Sequence, residues 1–173
     1  MAAEDQANPT KASTAQGGCL CGAIRYEIAK MPERLTICHC RFCQRSTGAA
    51  QMTQPALPAA DIVLLQGNPK RYTHISTGSG EAIHIHFCDT CGTKLYQTFD
   101  RFGGAAGLYS GTLDDPNWLD VPAENTKHIF VEEARNDTLI PAHVAVFSGH
   151  ALAPDGTPLV PETLDQIRRA GEL

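Results

Sequence analysis

Glu81-Ala82-Ile83-His84-Ile85-His86-Phe87-Cys88-Asp89-Thr90-Cys91-Gly92 is the stretch whose reading decides the fold. Ile83, Ile85 and Phe87 alternate with His84 and His86, the period-2 pattern of a half-buried β-strand. That strand runs directly into a C-x-x-C pair followed by glycine. A glycine after the second thiol permits the positive φ of a tight metal-binding turn. Upstream, Cys19-Leu20-Cys21-Gly22 repeats the device, and the alternation of Ile24, Tyr26 and Ile28 after it marks a second half-buried strand. Two knuckles at strand ends, each closed by glycine, read as the halves of one four-cysteine site: Cys19, Cys21, Cys88 and Cys91.

Three cysteines remain, all within Cys38-His39-Cys40-Arg41-Phe42-Cys43. Three small thiols side by side bury little surface, so packing does not explain them. A soft cation does. Zinc binds thiolate sulfur at roughly 2.3 Å and favours four ligands in a tetrahedron. Three protein ligands plus an open position is the pattern of a catalytic zinc. The seven cysteines therefore divide as four plus three, one closed site and one open.

The rest of the chain reads as short strands separated by turn signals, an antiparallel β protein with few helices. Leu35-Thr36-Ile37 is a strand that delivers Cys38. Phe42 to Thr47 is a short helix stopped by Gly48. Strands are expected at Ala59–Gln66, Lys70–Ile75, Thr93–Phe99, Gly107–Leu113, His128–Glu132 and His143–Phe147. A C-terminal helix is expected over Pro161–Ala170, with Leu164 and Ile167 on one face. Residues 1–16 read as a polar tail, 17–148 as the zinc-binding domain and 149–173 as a C-terminal extension.

The chain has 173 residues, 42% of them hydrophobic, with a net charge of −5. That suits one globular domain. With no basic stretch it does not suit nucleic acid, whose binding depends on phosphate neutralisation. No apolar run is long enough to span a bilayer. Met1–Gln16 carries Glu4 and Asp5 and no apolar core, so it does not read as a secretory signal and a cytoplasmic location follows. Thiols stay reduced there, which favours metal over disulfides. The oligomeric state is not set by the sequence, and a homo-oligomer is left open.

Gly17-Gly18-Cys19-Leu20-Cys21-Gly22, Cys38-His39-Cys40-Arg41-Phe42-Cys43, Phe87-Cys88-Asp89-Thr90-Cys91-Gly92-Thr93 and Gly111-Thr112-Leu113-Asp114-Asp115 together resemble the GFA family, the glutathione-dependent formaldehyde-activating enzymes and centromere protein V-like relatives. The resemblance implies a β-tent of coiled antiparallel sheets and two zinc ions per chain. The structural ion would be held by Cys19, Cys21, Cys88 and Cys91, and the catalytic ion by Cys38, Cys40 and Cys43. It further implies a carbon–sulfur lyase acting on a small thiol such as glutathione, or on a thiol–aldehyde adduct like S-hydroxymethylglutathione.

Arg41 and Arg45, four apart beside the open site, are candidates to clasp the carboxylates of such a substrate; two solvated arginines are the plainer reading. His39 is expected to point away from the metal, His84 and His86 to face solvent or a groove, and Trp118 to be packed. Asp114 reads as a turn cap before an acid–base group. After the His128–Val131 strand the chain departs from the family's usual tryptophan and Gly-Leu-Pro-like segments, which changes the far wall of any pocket. Two other readings are a zinc-stiffened binding module without catalysis, and a thiol redox protein cycling Cys40 and Cys43.

Overall fold

The computed structural model describes residues 13–173, so the tail reading of residues 1–12 lies outside the described residues. The first strand, β1 (Ala15–Gly18), already takes in two residues assigned above to the tail. The strands that follow are β2 (Arg25–Ile28), β3 (Arg34–Cys38), β4 (Met52–Pro58), β5 (Ile62–Gln66), β6 (Lys70–Ile75), β7 (Ala82–Phe87), β8 (Lys94–Phe99) and β9 (Ala105–Leu108). After them come β10 (Thr126–Ile129), β11 (Leu139–Ile140), β12 (Ala145–Val146), β13 (Glu162–Thr163) and β14 (Arg168–Arg169). Among the described residues one α-helix, α1 (Arg41–Thr47), lies between β3 and β4, and Gly48 stops it with φ 72°. The protein is mainly β, as its alternating patterns predict.

Two sheets carry the architecture. A small sheet has the order β1-β2-β5; a large one has the order β13-β12-β10-β3-β4-β9-β8-β7-β6. A two-stranded ribbon joins β11 to β14. Most pairs are antiparallel, as expected, but β10 lies parallel to both β3 and β12. This departure places Ile129 opposite Cys38, so the end of β10 becomes a wall of the three-cysteine segment.

The main core joins the two sheets. Tyr26 and Ile28 of β2, Leu57 of β4, Leu95 of β8 and Leu108 of β9 are buried together with Cys19, Cys88 and Trp118. A second cluster surrounds Cys38 and Cys43, with Met52, Tyr109, Ile129 and Ala151 buried and Phe42, Phe130 and Phe147 packed against it. Cys19 and Cys88 are thus buried in one cluster with Cys91 against it, and Cys38 and Cys43 in the other with Cys40 against it, while Cys21 is exposed.

Several boundaries differ from the pattern reading. The strand expected to reach Leu113 ends at Leu108, and Ser110–Thr112 turns into a 3₁₀ segment. That turn sets the Thr112 hydroxyl 2.7 Å from the Tyr26 hydroxyl. The apolar run Ile62–Leu65 is a strand, but an edge strand of the small sheet, with Val63 44% and Leu65 50% exposed. β4 was not legible, because Pro55 and Pro58 argue against a central strand.

The C-terminal helix does not form. Glu162–Thr163 pairs with β12 and Arg168–Arg169 with β11. Leu164 is buried beside Val144 and Val146, while Ile167 is 64% exposed. A ten-residue helix is marginal by itself, and pairing with two available strand edges overrides the i, i+3 pattern. The extension is therefore strand-paired to the body of the protein.

Candidate metal centres and the wall of the three-thiol site

The two knuckles fold alike because their sequences do. Cys19 N–H donates to Ile24 O at 3.0 Å and Gly22 N–H to Cys19 O at 3.0 Å. In the second, Cys88 N–H donates to Thr93 O at 2.9 Å and Gly92 N–H to Cys88 O at 2.8 Å. Gly22 and Gly92 both have φ 75°, the left-handed turn that a side chain would strain. The turns bring Cys19, Cys21, Cys88 and Cys91 together with their Sγ atoms all within 4.8 Å of one another. Cys19 Sγ is 3.6 Å from Cys21 Sγ, which lies 3.8 Å from Cys88 Sγ. Four thiolates around one zinc stand about 3.8 Å apart, given Zn–S bonds of roughly 2.3 Å. The donor set fits such an ion. The Thr93 hydroxyl, 3.1 Å from Cys91 Sγ, lowers the Cys91 thiol to about 5 and favours the thiolate a metal needs.

Cys38, Cys40 and Cys43 form the second group, again with Sγ atoms within 4.8 Å of one another. Cys38 ends β3, Cys40 is the N-cap of α1 and Cys43 lies in its first turn, which is why a C-x-C-x-x-C segment converges. Cys38 Sγ is 3.4 Å from Cys40 Sγ, and Cys43 N–H donates to Cys40 Sγ at 3.4 Å. Cys40 ionises first. The Cys38 thiol, then the Cys43 thiol and the backbone N–H groups of the helix start, hold it down to about 3. The hydrogen bond with Cys40 pushes Cys38 up to about 12, and the one with Cys38 in turn pushes Cys43 up. Three sulfurs fill three corners of a tetrahedron, so this donor set fits a metal with one position left for another ligand.

His39 stays out of the metal group. It is fully buried, and its Nε2 lies 3.0 Å from His128 Nδ1. Burial holds both rings neutral, His128 down to about 4. Gln44 fastens the segment from behind, its Nε2 donating to His39 O at 2.6 Å and Glu133 O at 2.9 Å. Arg41 and Arg45 are exposed on α1, and Arg41 Nη1 donates to Gln44 Oε1. His84 and His86 are elsewhere: His84 Nε2 is 3.0 Å from Asp100 Oδ1, and His86 stacks on Tyr96. Trp118 is buried in the main core.

Asp114 is neither a turn cap nor part of the three-thiol site. Both its oxygens face Arg25, one at 2.9 Å from Nη1 and the other against Nη2. The Arg25 hydrogen bonds hold its carboxyl below the ordinary 3.8. A depressed folded-state pKa gives stability that is present above the unfolded value and disappears as pH falls through the folded one. Asp114→Asn is expected to lower stability near neutral pH by less than about 1 kcal/mol, since the pair is half exposed and screened. Melting curves from neutral pH into acid check this: the gap to wild type closes below about pH 3.8.

Residues that sequence patterns did not single out complete the wall of the three-thiol site. Tyr109 OH lies 2.6 Å from Ser46 Oγ, both groups buried, and Lys94 Nζ donates to Ser46 O. Burial pushes the Tyr109 phenol up to about 12, so it stays protonated. Phe130 adopts φ 56°, a left-handed conformation rare for a bulky side chain. No spacing signal marks these residues, because they come from α1, the start of β8 and the residues just after β9 and β10, and meet only in three dimensions.

The family model described as glutathione-dependent formaldehyde-activating enzyme matches residues 14–133. The chain belongs to this GFA family. The matched span contains all seven cysteines and ends before the segment that supplies Phe147 and Ala151 to the wall. Among solved structures, a crystal structure of a Rhodobacter sphaeroides protein is similar at 23% identity. The likeness covers 62% of this chain and 97% of that one, with a TM-score of 0.46. GFA membership agrees with the resemblance carried by the cysteine motifs. No helix among the described residues of this GFA protein is long and apolar enough to cross a membrane.

Proposed function

We propose that this GFA protein is a zinc-dependent carbon–sulfur lyase-like enzyme that forms or cleaves a thiol–carbonyl adduct. Glutathione is the leading thiol and an S-hydroxymethyl adduct the leading product. The observation that carries the reading is the second thiol group. Cys38, Cys40 and Cys43 converge on one point, with no fourth donor in the group among the described residues and a partly buried aromatic wall beside them. A scaffold needs only the closed site, and a redox pair needs only two thiols.

Cys19, Cys21, Cys88 and Cys91 would hold a structural zinc, and Cys38, Cys40 and Cys43 a catalytic one. When bound at the three-thiolate site, zinc lowers the pKa of an incoming thiol and orients its sulfur. The chain supplies the rest. Cys40, already biased to the thiolate, prepares the site for a cation. Gln44 and the N-cap hold the three sulfurs in place. Phe42, Phe130 and Phe147 exclude water around the reacting carbon. Arg41 and Arg45, exposed on the outer face of α1, would meet the carboxylates of a glutathione-like thiol. A cytoplasmic location, where glutathione is abundant and thiols stay reduced, suits this chemistry.

Cobalt in place of zinc tests the reading. Titrating glutathione into the cobalt protein is expected to intensify the sulfur-to-cobalt charge-transfer band, because a fourth thiolate joins the open site. An unchanged spectrum at saturating thiol would sink the proposal.

A further inference from the structure

Beyond the residues matched to the family, the segment after β12 brings a histidine to the wall of the three-thiol site. His150 sits between two aromatic rings. Phe102 lies nearly parallel to it at 6.2 Å, and Phe130 meets it edge-on at 5.9 Å. Phe130 packs against the cluster that contains Cys38 and Cys43, and Ala151, the next residue, is buried inside it. Phe130 N–H donates to Gly149 O at 2.8 Å and Val131 N–H to Phe147 O at 3.2 Å. These bonds tie the strained Phe130 backbone to the segment carrying His150.

The backbone also selects the tautomer. Leu152 N–H donates to His150 Nδ1 at 2.9 Å. An amide N–H can only donate, so Nδ1 accepts, and the neutral ring carries its proton on Nε2. The Leu152 carbonyl is farther from Nδ1, at 3.2 Å, and would accept only from a ring protonated at Nδ1. The shorter contact from the Leu152 amide, at 2.9 Å, favours the Nε2–H tautomer, and burial disfavours the doubly protonated ring. Nε2–H has no hydrogen-bond partner among the described residues. Half-buried His150 thus offers an oriented N–H donor between two aromatic rings, one of which packs against the three-thiol cluster.

We propose that His150 is a catalytic residue whose Nε2–H donates a hydrogen bond to the substrate oxygen as the carbonyl becomes an alkoxide. The inference rests on the thiol–carbonyl reading above. In the forward direction a lone pair of the substrate thiolate forms the carbon–sulfur bond. The carbonyl π pair moves to oxygen, which then takes a proton from solvent, replacing the one the thiol released on binding. In reverse the alkoxide pair re-forms the carbonyl and the sulfur leaves with the bonding pair. His150 keeps its own proton throughout, so it acts as a donor without titrating.

The test uses the full-length zinc-loaded protein labelled with ¹⁵N-histidine. Long-range ¹⁵N–¹H spectra are expected to show His150 protonated at Nε2. Glutathione with formaldehyde is expected to shift Nε2, whereas glutathione alone, with the same thiol and no new hydroxyl, leaves it in place. Exchange between free and adducted formaldehyde, measured by NMR above the spontaneous rate, gives the second arm. His150→Phe keeps an aromatic ring and is expected to lose about 10²–10³ in kcat, at similar KM and metal content. His150→Gln keeps an N–H donor and is expected to retain activity within about tenfold of wild type. Wild-type turnover by His150→Phe, or no Nε2 shift with the adduct, overturns the proposal. If the wild-type protein does not accelerate exchange, the lyase reading fails. The Nε2 shift then decides by itself whether His150 is the donor at this site.

Discussion

Cys40→Ser is expected to abolish adduct turnover and to reduce the metal content from two ions per chain to one, with the fold intact. The thiol that changes is the one the neighbouring groups prepare most strongly for a cation. A serine hydroxyl does not ionise in its place, so the group keeps only two thiols. Electrostatic assistance from a bound metal is worth several kcal/mol at the transition state, so turnover is expected to fall by about 10³-fold or more. Stability behaves differently. Cys40 is the N-cap of α1, accepting from Cys43 N–H. Serine is a preferred N-cap and accepts the same bond at least as well. The site also stands apart from the core that joins the two sheets. The melting temperature is therefore expected to stay within about 5 °C of wild type, a stability change of roughly 1 kcal/mol for a domain of this size. Metal analysis, turnover and thermal melting on the same sample check all three parts. Activity that survives in the variant would remove the three-thiol site from the mechanism.

Cys88→Ser is expected to give the opposite signature, a large loss of stability. Cys88 is fully buried among Cys19, Leu95, Leu108 and Trp118. It stands at the end of β7 in the nine-stranded sheet, and Cys19 and Cys21 follow β1 in the three-stranded sheet. A metal across these knuckles clips together two segments about 70 residues apart, and such a closure removes much chain entropy. Structural zinc sites contribute folding free energy outright. Losing one ligand leaves a weakened ion and a buried hydroxyl without its ideal partner. A loss of about 4–6 kcal/mol, and a fall in melting temperature of roughly 10–20 °C, is expected. Strong chelation at elevated temperature is expected to act on the wild-type protein in the same direction. A Cys88→Ser protein that melts with wild type would mean that the four thiols hold no structural ion. The two substitutions thus separate the two groups of cysteines. One change removes chemistry at nearly constant stability, and the other removes stability first.

The site was legible from the cysteines to an unusual depth because metal-binding turns are local. Thiols two or three residues apart must converge, and a glycine after the second permits the turn. The structure accordingly places Cys19, Cys21, Cys88 and Cys91 in one group and Cys38, Cys40 and Cys43 in another. Strands with clean alternation, such as Ala82–Phe87, were equally legible. The short helix ending at Gly48 was readable from its stop signal. Failures had a common origin. Pro55 and Pro58 disguise β4, and the Leu164–Ile167 spacing imitates a helix where strand edges capture the chain. Asp114, quoted from a motif, turned out to answer to Arg25, a residue 89 positions away.

Local chemistry in the chain was enough to determine the β class, the knuckles, the division of seven thiols and the expectation of metal. Tertiary packing alone chose the surroundings of the open site. The parallel placement of β10 against β3 sets Ile129 beside Cys38. The pairing of Phe130 with the segment after β12 brings His150 and Ala151 to the same wall. Tyr109 reaches Ser46 only once β9 has joined β4. Ligand spacing is a property of a few consecutive residues. A pocket wall is made by strands remote in the chain, whose register is set by burial across the whole sheet.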